Sequence, residues 1–364
     1  MPSTLRNSRI KFTSSNAGTV AFLGGSITEM EGYRPLVCDQ LRNRFPNTRF
    51  KFINAGISST TSTTGAFRLE QDILAQGPVD LLFLEFAVND DQDGGYSREE
   101  CIRGMEGIIR HARRRYPDMD IVMTYFVNEG MLATLQKGET PLRIEAHQAV
   151  ADHYGLPVIR LAQEVARAIS AGKLTWQQYG GVHPGPAGNA ICARMMGELF
   201  DRSWEAPLSA SALPAAHPMP AALDPYNFES GRFIDPSQAI IKHGWTPGVP
   251  DWNRLQGDKR SWTLDKTMLS ASEPGAEATL DFEGTAVGAF VIAGPDAGRV
   301  ESRVDGGPVT VVDIFHPYSR GLHYPRTVMF ASALEPGKHT LALRISSGTS
   351  NGGHAMRILQ FTAN

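Results

Sequence analysis

The sequence contains four groups that together could carry out acyl transfer. A hydroxyl is present at Ser26, directly after an apolar run and two glycines, and an imidazole is present at His183 in a Val-His-Pro segment. Between them in the chain are Gly56, which can offer a backbone N–H, and Asn89, which can offer a carboxamide. A nucleophile, a base and donors to a developing oxyanion are the parts that ester chemistry requires.

These groups fall where the elements of a parallel α/β fold would bring them together. Apolar runs bounded by turn residues predict strands over 19–23, 49–54, 79–86, 120–125 and 157–160. Helical patterns fill the intervals, over 33–45, 65–75, 97–115, 142–154, 161–171 and 186–200. Such alternation predicts a parallel sheet with helices on both faces. Since ligands bind at the carboxyl ends of such strands, we expect Ser26, Gly56 and Asn89 at one edge of the sheet.

The character of the sequence changes after residue 204. Residues 205–226 are rich in proline and alanine, which predicts an extended linker lying along a surface. Beyond it, short strand-like runs occupy 278–282, 286–292, 300–304, 309–315, 327–330 and 339–345. We therefore expect an α/β domain over 1–204, a linker over 205–226, and an all-β sandwich or jelly roll over 227–364.

Composition excludes several classes of protein. A chain of 364 residues that is 41% hydrophobic can form two domains with ample cores. Its formal net charge of −3 argues against nucleic acid or an anionic membrane as a partner. Cys38, Cys101 and Cys192 lie far apart and are interpreted as free thiols. Without an apolar leader or a membrane-length run, the sequence as given predicts a cytoplasmic protein, although a chain whose leader had been removed would look the same.

Taken in order, four blocks resemble the SGNH (GDSL-type) hydrolase superfamily. They are Gly24-Gly25-Ser26-Ile27-Thr28, Asn54-Ala55-Gly56, Val88-Asn89-Asp90 and Val182-His183-Pro184. The resemblance covers roughly residues 18–202 and implies a flavodoxin-like three-layer α/β/α sandwich with a five-stranded parallel sheet. It also implies that Ser26 is the nucleophile, that His183 is the base, and that the oxyanion hole comprises Ser26 N–H, Gly56 N–H and Asn89. The trailing β domain is similar to an accessory sandwich found in some carbohydrate-directed members.

One position departs from the pattern of the superfamily. Its members usually have an aspartate three residues before the histidine, and here that position is Gly180. The acid orients the imidazole and stabilises its cation, and its loss can cost ~10⁴-fold in rate. Two arrangements are open. Either a backbone carbonyl orients His183 in a dyad with Ser26, which we favour, or an acid elsewhere does so, the candidates being Glu85, Asp90 and Asp91.

Two further side chains are candidate substrate contacts. Arg68 follows the glycine block, and we expect it either to bind a substrate oxygen or to form a surface salt bridge. Trp176 precedes the histidine loop and is expected either to wall the pocket or to pack in the core. No metal or organic cofactor is implied. The acidic run at 90–94 is interpreted as a solvated turn, because it lacks the later bidentate glutamate of a calcium loop.

These observations predict a serine esterase that removes small acyl groups, acetyl above all, from a carbohydrate or similar ester. Its expected partner is therefore a small-molecule or glycan ester. One alternative is a lipase or thioesterase acting on longer acyl chains. The other is a carbohydrate-binding protein with little turnover, an interpretation that Gly180 favours.

Overall fold

The computed structural model describes residues 5–209 and 211–364. Residues 1–4, at the start of the predicted α/β domain, and Ala210, in the predicted linker, lie outside the described residues. The chain divides into two compact units, Met1–Glu229 and Ser230–Asn364. The division therefore falls shortly after the end of the predicted linker at residue 226.

The described part of the first unit is built on a parallel sheet of five strands, in the order β2-β1-β3-β4-β5. The strands are β1 (Ala17–Gly24), β2 (Arg49–Gly56), β3 (Leu81–Leu84), β4 (Asp120–Thr124) and β5 (Val158–Ile159). This is the strand order of a flavodoxin-like doubly wound sheet, so the predicted fold is confirmed. β3 and β4 are buried along their whole length, which explains why their sequences are continuous apolar runs.

The helices of this unit surround the sheet. They are α1 (Arg6–Ser14), α2 (Ser26–Glu29), α3 (Tyr33–Arg44), α4 (Ser62–Asp72), α5 (Ala87–Gln92), α6 (Arg98–Arg115), α7 (Glu129–Gln136), α8 (Leu142–Tyr154), α9 (Leu161–Ser170), α10 (Trp176–Tyr179) and α11 (Pro186–Trp204). The predicted helices correspond to α3, α4, α6, α8, α9 and α11. The others are not predicted, because four to nine residues contain too few turns to show a helical period. No helix among the described residues has both the length and the apolar character needed to cross a bilayer.

Residues 205–229 are here called the return segment, and its described residues, 205–209 and 211–229, run back over the first unit. The guanidinium of Arg113 donates to the carbonyl of Pro218 at 2.9 Å. The carboxylate of Glu106, which is 0% exposed, accepts the backbone N–H groups of Leu223 at 2.6 Å and Asp224 at 2.9 Å. Because buried charged groups bond to its backbone, the described part of the return segment is anchored rather than free.

The second unit is an antiparallel β sandwich. Its strands are β6 (Arg232–Ile234), β7 (Ile240–His243), β8 (Thr246–Gly248), β9 (Met268–Ala271), β10 (Glu277–Gly284), β11 (Val287–Ala293), β12 (Arg299–Val304), β13 (Thr310–Asp313), β14 (Tyr324–Ala331), β15 (Gly337–Ile345) and β16 (Met356–Ala363). One sheet has the order β13-β12-β15-β10-β7, and the other has the order β14-β11-β16-β9-β8, with β6 also paired to β16.

Side chains from both sheets form one apolar core. Val300 and Leu341 come from the first sheet, and Val291 and Ile358 come from the second. The predicted sandwich is therefore confirmed. The predicted strands correspond to β10–β15, whereas β6–β9 and β16 are not predicted. β16 is buried on both faces between β11 and β9, so its sequence lacks the alternation that marks a half-exposed strand.

Candidate active site

Ser26 lies at the sharp turn that joins β1 to α2. β1 ends at Gly24, Gly25 precedes the helix, and Ser26 is the first helical residue. The Ser26 side chain is half-buried, and its Oγ lies 2.8 Å from Nε2 of His183. The fold thus brings a hydroxyl and an imidazole that are far apart in the sequence into direct hydrogen-bond contact. A nucleophile in contact with a base is the first requirement of two-step acyl transfer.

The two glycines before Ser26 are required by close packing. Neither Gly24 nor Gly25 has a positive φ, so the backbone conformation does not require glycine here. A Cβ on Gly24 would lie 2.0 Å from Oε1 of Glu85, and a Cβ on Gly25 would lie 2.2 Å from Oδ1 of Asn89. Polar side chains from the neighbouring strand end therefore occupy the space that a side chain would need.

Gly56 ends β2 beside Gly24 and is also closely packed. A Cβ on Gly56 would lie 2.2 Å from the backbone nitrogen of Glu29, at the end of α2. Its own N–H donates to Oδ1 of Asn54 at 3.0 Å. The sequence predicted an unobstructed donor at Gly56, whereas in the structure this N–H is occupied by the side chain of Asn54, which is itself exposed.

Asn89 lies in α5, immediately after the region of β3, with its carboxamide against Gly25. It is 2% exposed, and its Nδ2 donates to Oδ2 of Asp93 at 2.8 Å. Because a carboxylate can only accept hydrogen bonds, Asp93 fixes which end of the carboxamide is the nitrogen. The second hydrogen of Nδ2 remains for another acceptor. Asp93 thus orients the amide that the sequence singled out.

His183 lies in a loop between α10 and α11, where its side chain is exposed. The loop is held by the N–H of Gly185, which donates to Tyr179 at 2.8 Å, and by Nδ2 of Asn189, which donates to Pro184 at 2.7 Å. No carbonyl or carboxylate of the described residues is hydrogen-bonded to Nδ1 of His183. The carbonyl support that the sequence favoured is therefore not seen among the described residues.

The three acids considered as alternative partners of His183 bond elsewhere. The carboxylate of Glu85 accepts from the backbone N–H of Gly25. Asp90 is hydrogen-bonded to the imidazole of His147. Asp91 accepts from the side-chain amide of Asn128. Ser26 and His183 thus form a pair to which, among the described residues, no third side chain is hydrogen-bonded.

The conformation of Gly180 explains why the usual aspartate is missing. Gly180 ends α10 in the left-handed region, with φ of 109°. A Cβ at this position would lie 2.0 Å from the backbone nitrogen of Gly185. An aspartate therefore fits this loop neither in backbone conformation nor in space.

Gly180→Asp is expected to destabilise the protein instead of completing a triad. The substitution combines left-handed strain with overlap against backbone, and we expect a loss of about 2–4 kcal/mol in the free energy of unfolding, with no gain in the reactivity of Ser26. Gly181→Asp is the matched control, because Gly181 also has a positive φ, of 79°, but open space around its Cβ position. Urea unfolding of both variants checks the prediction, which is wrong if Gly180→Asp is as stable as Gly181→Asp.

A protein-family model matches the part of the chain that contains the four sequence blocks around Ser26, Gly56, Asn89 and His183. Residues 22–191 match the model of the GDSL-like lipase/acylhydrolase family, a span that includes Ser26, Gly56, Asn89 and His183. The chain contains a GDSL-like hydrolase domain. It is accordingly a carboxylic ester hydrolase, and the resemblance seen in the sequence is confirmed.

Solved structures share the two-domain fold of this GDSL-like hydrolase. One is described as a two-domain esterase active on acetylated mannans; it is 23% identical, with a TM-score of 0.77 over 99% of this chain and 96% of that chain. The same kind of esterase co-crystallised with mannopentaose is 22% identical, with a TM-score of 0.73 over 95% of this chain and 90% of that chain. At these identities the likeness concerns the fold. No curated protein matches the chain.

Arg68 is not a substrate contact in the GDSL-like hydrolase. Its side chain is 1% exposed, which does not fit a substrate contact, and the salt bridge that it forms with Asp72 is buried on the arginine side rather than lying on the surface. It donates to Asp72 at 2.8 Å and to the carbonyl oxygen of Gly24 at 3.0 Å. Trp176 is half-buried and stacks on Tyr179 at 5.4 Å between ring centroids, immediately before the histidine loop. Arg68 therefore supports the serine turn from inside, and only Trp176 remains as a candidate wall of the site.

The acidic run at 90–94 is not the solvated turn that the sequence suggested. Its first residues belong to α5, and its carboxylates bond to side chains of the hydrolase. Among the described residues, ligand atoms of Asp90, Cys101 and His147 lie within 4.8 Å of one another, as a metal site would require. However, Asp90 and His147 already bond to each other at 2.8 Å, and burial raises the pKa of the Cys101 thiol. This group is a hydrogen-bonded cluster rather than a prepared metal site.

The sequence also failed to assign a structural role to Glu85. This residue follows β3 and is 2% exposed, and Oε1 accepts from the N–H of Gly25 at 2.9 Å and from the hydroxyl of Thr28 at 2.7 Å. The sequence feature that could have indicated this role is a single charged residue within the apolar run Leu-Leu-Phe-Leu-Glu-Phe-Ala-Val. A charge in such a run must find polar partners inside the fold.

Proposed function

We propose that the protein is a serine esterase that removes small acyl groups, acetyl above all, from a carbohydrate. The observation that carries the proposal is the 2.8 Å contact between Ser26 Oγ and His183 Nε2 within a GDSL-like hydrolase domain. The chemistry is assigned to the first unit, which contains both residues.

The reaction proceeds by two acyl transfers. Nε2 of His183 accepts the hydroxyl proton of Ser26 while Oγ attacks the ester carbonyl carbon. When the tetrahedral intermediate collapses, the bond to the alcohol oxygen breaks, and His183 donates the proton to that oxygen. Water then attacks the acyl carbon on Ser26 while His183 takes its proton. The bond to Oγ breaks as His183 returns that proton to Oγ, which releases the acid and restores the serine hydroxyl.

The developing oxyanion needs fixed donors. The backbone N–H of Ser26 and the free Nδ2 hydrogen of Asn89 are assigned this role, with the amide held by Asp93. The N–H of Gly56 joins them when the exposed side chain of Asn54 releases it. The structural support for this assignment is the packing of Asn89 directly against the Gly25–Ser26 turn.

The carbohydrate part of the proposal rests on the fold of the whole chain. The esterase that shares both domains is described as active on acetylated mannans, and we extend a carbohydrate ester substrate to this chain on that basis. A polysaccharide or oligosaccharide ester also suits a site whose base is exposed, since a bulky alcohol can approach it. Trp176, beside the histidine loop, is proposed as an apolar wall for the substrate.

Hydrolysis of p-nitrophenyl acetate, butyrate and octanoate tests the acyl preference. We expect kcat/KM to fall from acetate to octanoate by about 10-fold or more, because each badly accommodated methylene costs discrimination of this order. Acetate release from acetylated mannan and acetylated xylan then tests the alcohol side. Activity that rises with chain length would replace the proposal with a lipase or thioesterase.

One observation favours a second candidate, a carbohydrate-binding protein with little turnover. Nδ1 of His183 has no hydrogen-bond partner among the described residues, which weakens the case for an efficient base. A fluorophosphonate probe separates the two functions, because only an activated serine reacts with it. Labelling of Ser26 supports the esterase. An unlabelled protein that binds acetylated mannan would support the binding protein.

A further inference from the structure

The peptide between Gly24 and Gly25 is held on both sides by buried charged groups. On one side, the carbonyl oxygen of Gly24 accepts from the guanidinium of Arg68 at 3.0 Å and from the N–H of Ile57 at 3.1 Å. On the other side, the N–H of Gly25 donates to Oε1 of Glu85 at 2.9 Å. The orientation of this peptide, together with the φ of −88° and ψ of −145° at Gly25, sets the direction of the next N–H in the chain, that of Ser26.

Glu85 also holds the helix that begins at Ser26. Its Oε1 accepts from the hydroxyl of Thr28 at 2.7 Å, and that hydroxyl lies 3.0 Å from the phenol of Tyr33. All three of these side chains are buried. One carboxylate oxygen therefore fixes the turn before the serine and the helical turn after it.

Burying a carboxylate costs free energy, and the hydrogen bonds made by Glu85 offset only part of that cost. Oε2 is buried and has no hydrogen-bond partner. Burial raises the pKa of Glu85 to about 7, while the bonds from Thr28 and Gly25 oppose that rise. A group retained in so unfavourable a setting points to a role beyond packing.

We propose that Glu85 is a positioning residue of the esterase. By accepting hydrogen bonds from the Gly25 N–H and the Thr28 hydroxyl, it holds the serine turn in place. The turn then directs Ser26 Oγ toward His183 and Ser26 N–H toward the oxyanion. The inference rests on the proposed function. Glu85 does not touch the substrate, since the serine turn lies between them. Its loss leaves the binding of substrate unchanged and lowers the rate of the chemical step.

The experiment compares Glu85→Ala with Glu85→Gln. We expect Glu85→Ala to lower kcat for p-nitrophenyl acetate by about 10- to 100-fold with KM nearly unchanged, because a misplaced nucleophile loses rate on that scale. Glu85→Gln keeps an acceptor oxygen at the position of Oε1, so it should stay within about 5-fold of the wild-type kcat. The rate of labelling by a fluorophosphonate should follow the same order.

Glu106→Ala is the matched control. Glu106 is also a fully buried glutamate whose carboxylate accepts two backbone N–H groups, but those belong to the return segment. Its substitution should lower the melting temperature and leave kcat within about 2-fold, because it shares no partner with the serine turn. If Glu85→Ala does not fold, Thr28→Val removes one of the two bonds without removing the carboxylate, and the same loss in kcat with unchanged KM is expected on a smaller scale.

The pH dependence supplies a readout that simple destabilisation would not move. Glu85 faces titratable or charged groups from several elements, which are Tyr33, Arg68, Asp90, Tyr179 and Cys192. An ionised carboxylate accepts stronger hydrogen bonds than a neutral one. The ratio of the wild-type kcat to that of Glu85→Gln should therefore rise as the pH increases through about 7.

The outcomes separate this inference from the proposed function. A wild-type protein that neither hydrolyses p-nitrophenyl acetate nor reacts with a fluorophosphonate overturns the esterase and the role of Glu85 together. A reactive wild type with a folded and equally reactive Glu85→Ala variant overturns only the role of Glu85. Equal losses of kcat in Glu85→Ala and Glu106→Ala would likewise overturn only the role of Glu85.

Discussion

Ser26→Ala is expected to remove nearly all hydrolysis of p-nitrophenyl acetate, with kcat falling on the order of 10⁴- to 10⁶-fold. Without Oγ no acyl intermediate can form, and water would have to attack the ester directly. The oxyanion donors are backbone and amide groups that the substitution leaves in place, so a small residual rate above the uncatalysed reaction is expected.

The stability of Ser26→Ala distinguishes a lost nucleophile from a lost fold. The residue is half-buried, and among the described residues its hydroxyl bonds only to the exposed His183, so the free energy of unfolding should change by less than about 1 kcal/mol. Ser15→Ala, at an exposed serine of the same unit, should retain wild-type kcat. A Ser26→Ala variant that keeps more than about a tenth of the wild-type kcat would mean that another group performs the attack.

His183→Ala is expected to lower kcat by about 10²- to 10⁴-fold. The substitution removes the side chain that is bonded to Ser26 Oγ, so the hydroxyl must lose its proton to water. KM should change little, because the imidazole acts on the serine and on the leaving oxygen and contributes little to ground-state binding.

The exposure of His183 gives this prediction a sharper test. Removing an exposed side chain leaves an opening that solvent can reach, so added imidazole should restore part of the lost kcat. His153→Ala is the matched control, since His153 is an exposed histidine of the same unit that bonds to the carbonyl of Ala221. If His183→Ala keeps the wild-type rate, Ser26 is activated by some other group and the dyad is wrong.

The parts of the site that the sequence predicted are those encoded by short local blocks. The local sequence predicts an apolar strand or a loop immediately before each of Ser26, Asn89 and His183, which locates all three at the edge of the sheet. In the structure, Ser26 and His183 are in contact. The helix after Ser97 was also encoded locally. Ser97 and Glu100 form a reciprocal capping box, which a serine followed three residues later by glutamate signals.

The parts that the sequence did not predict depend on three-dimensional packing. Arg68 carries a charge that suits a surface, and nothing in its helix indicates that it is buried against the Gly24 carbonyl. Gly24 and Gly25 suggest a flexible turn, whereas the space that excludes their side chains belongs to residues about sixty positions away. The occupation of the Gly56 N–H by Asn54 likewise depends on a side-chain rotamer that no pattern of residue types specifies.

The anchoring of the return segment has a consequence for how the first unit folds. Asn7, in the first helix, exchanges two hydrogen bonds with the backbone of Ala215, which is 208 residues later in the chain. Contacts between such distant residues form slowly, because a long loop must close before they stabilise anything. During synthesis, Glu106 and Arg113 also lack these partners until the return segment has left the ribosome. The unit therefore completes its folding late, and a nascent chain that ends near Trp204 contains all five strands of the sheet while Glu106 and Arg113 still lack part of their hydrogen bonds.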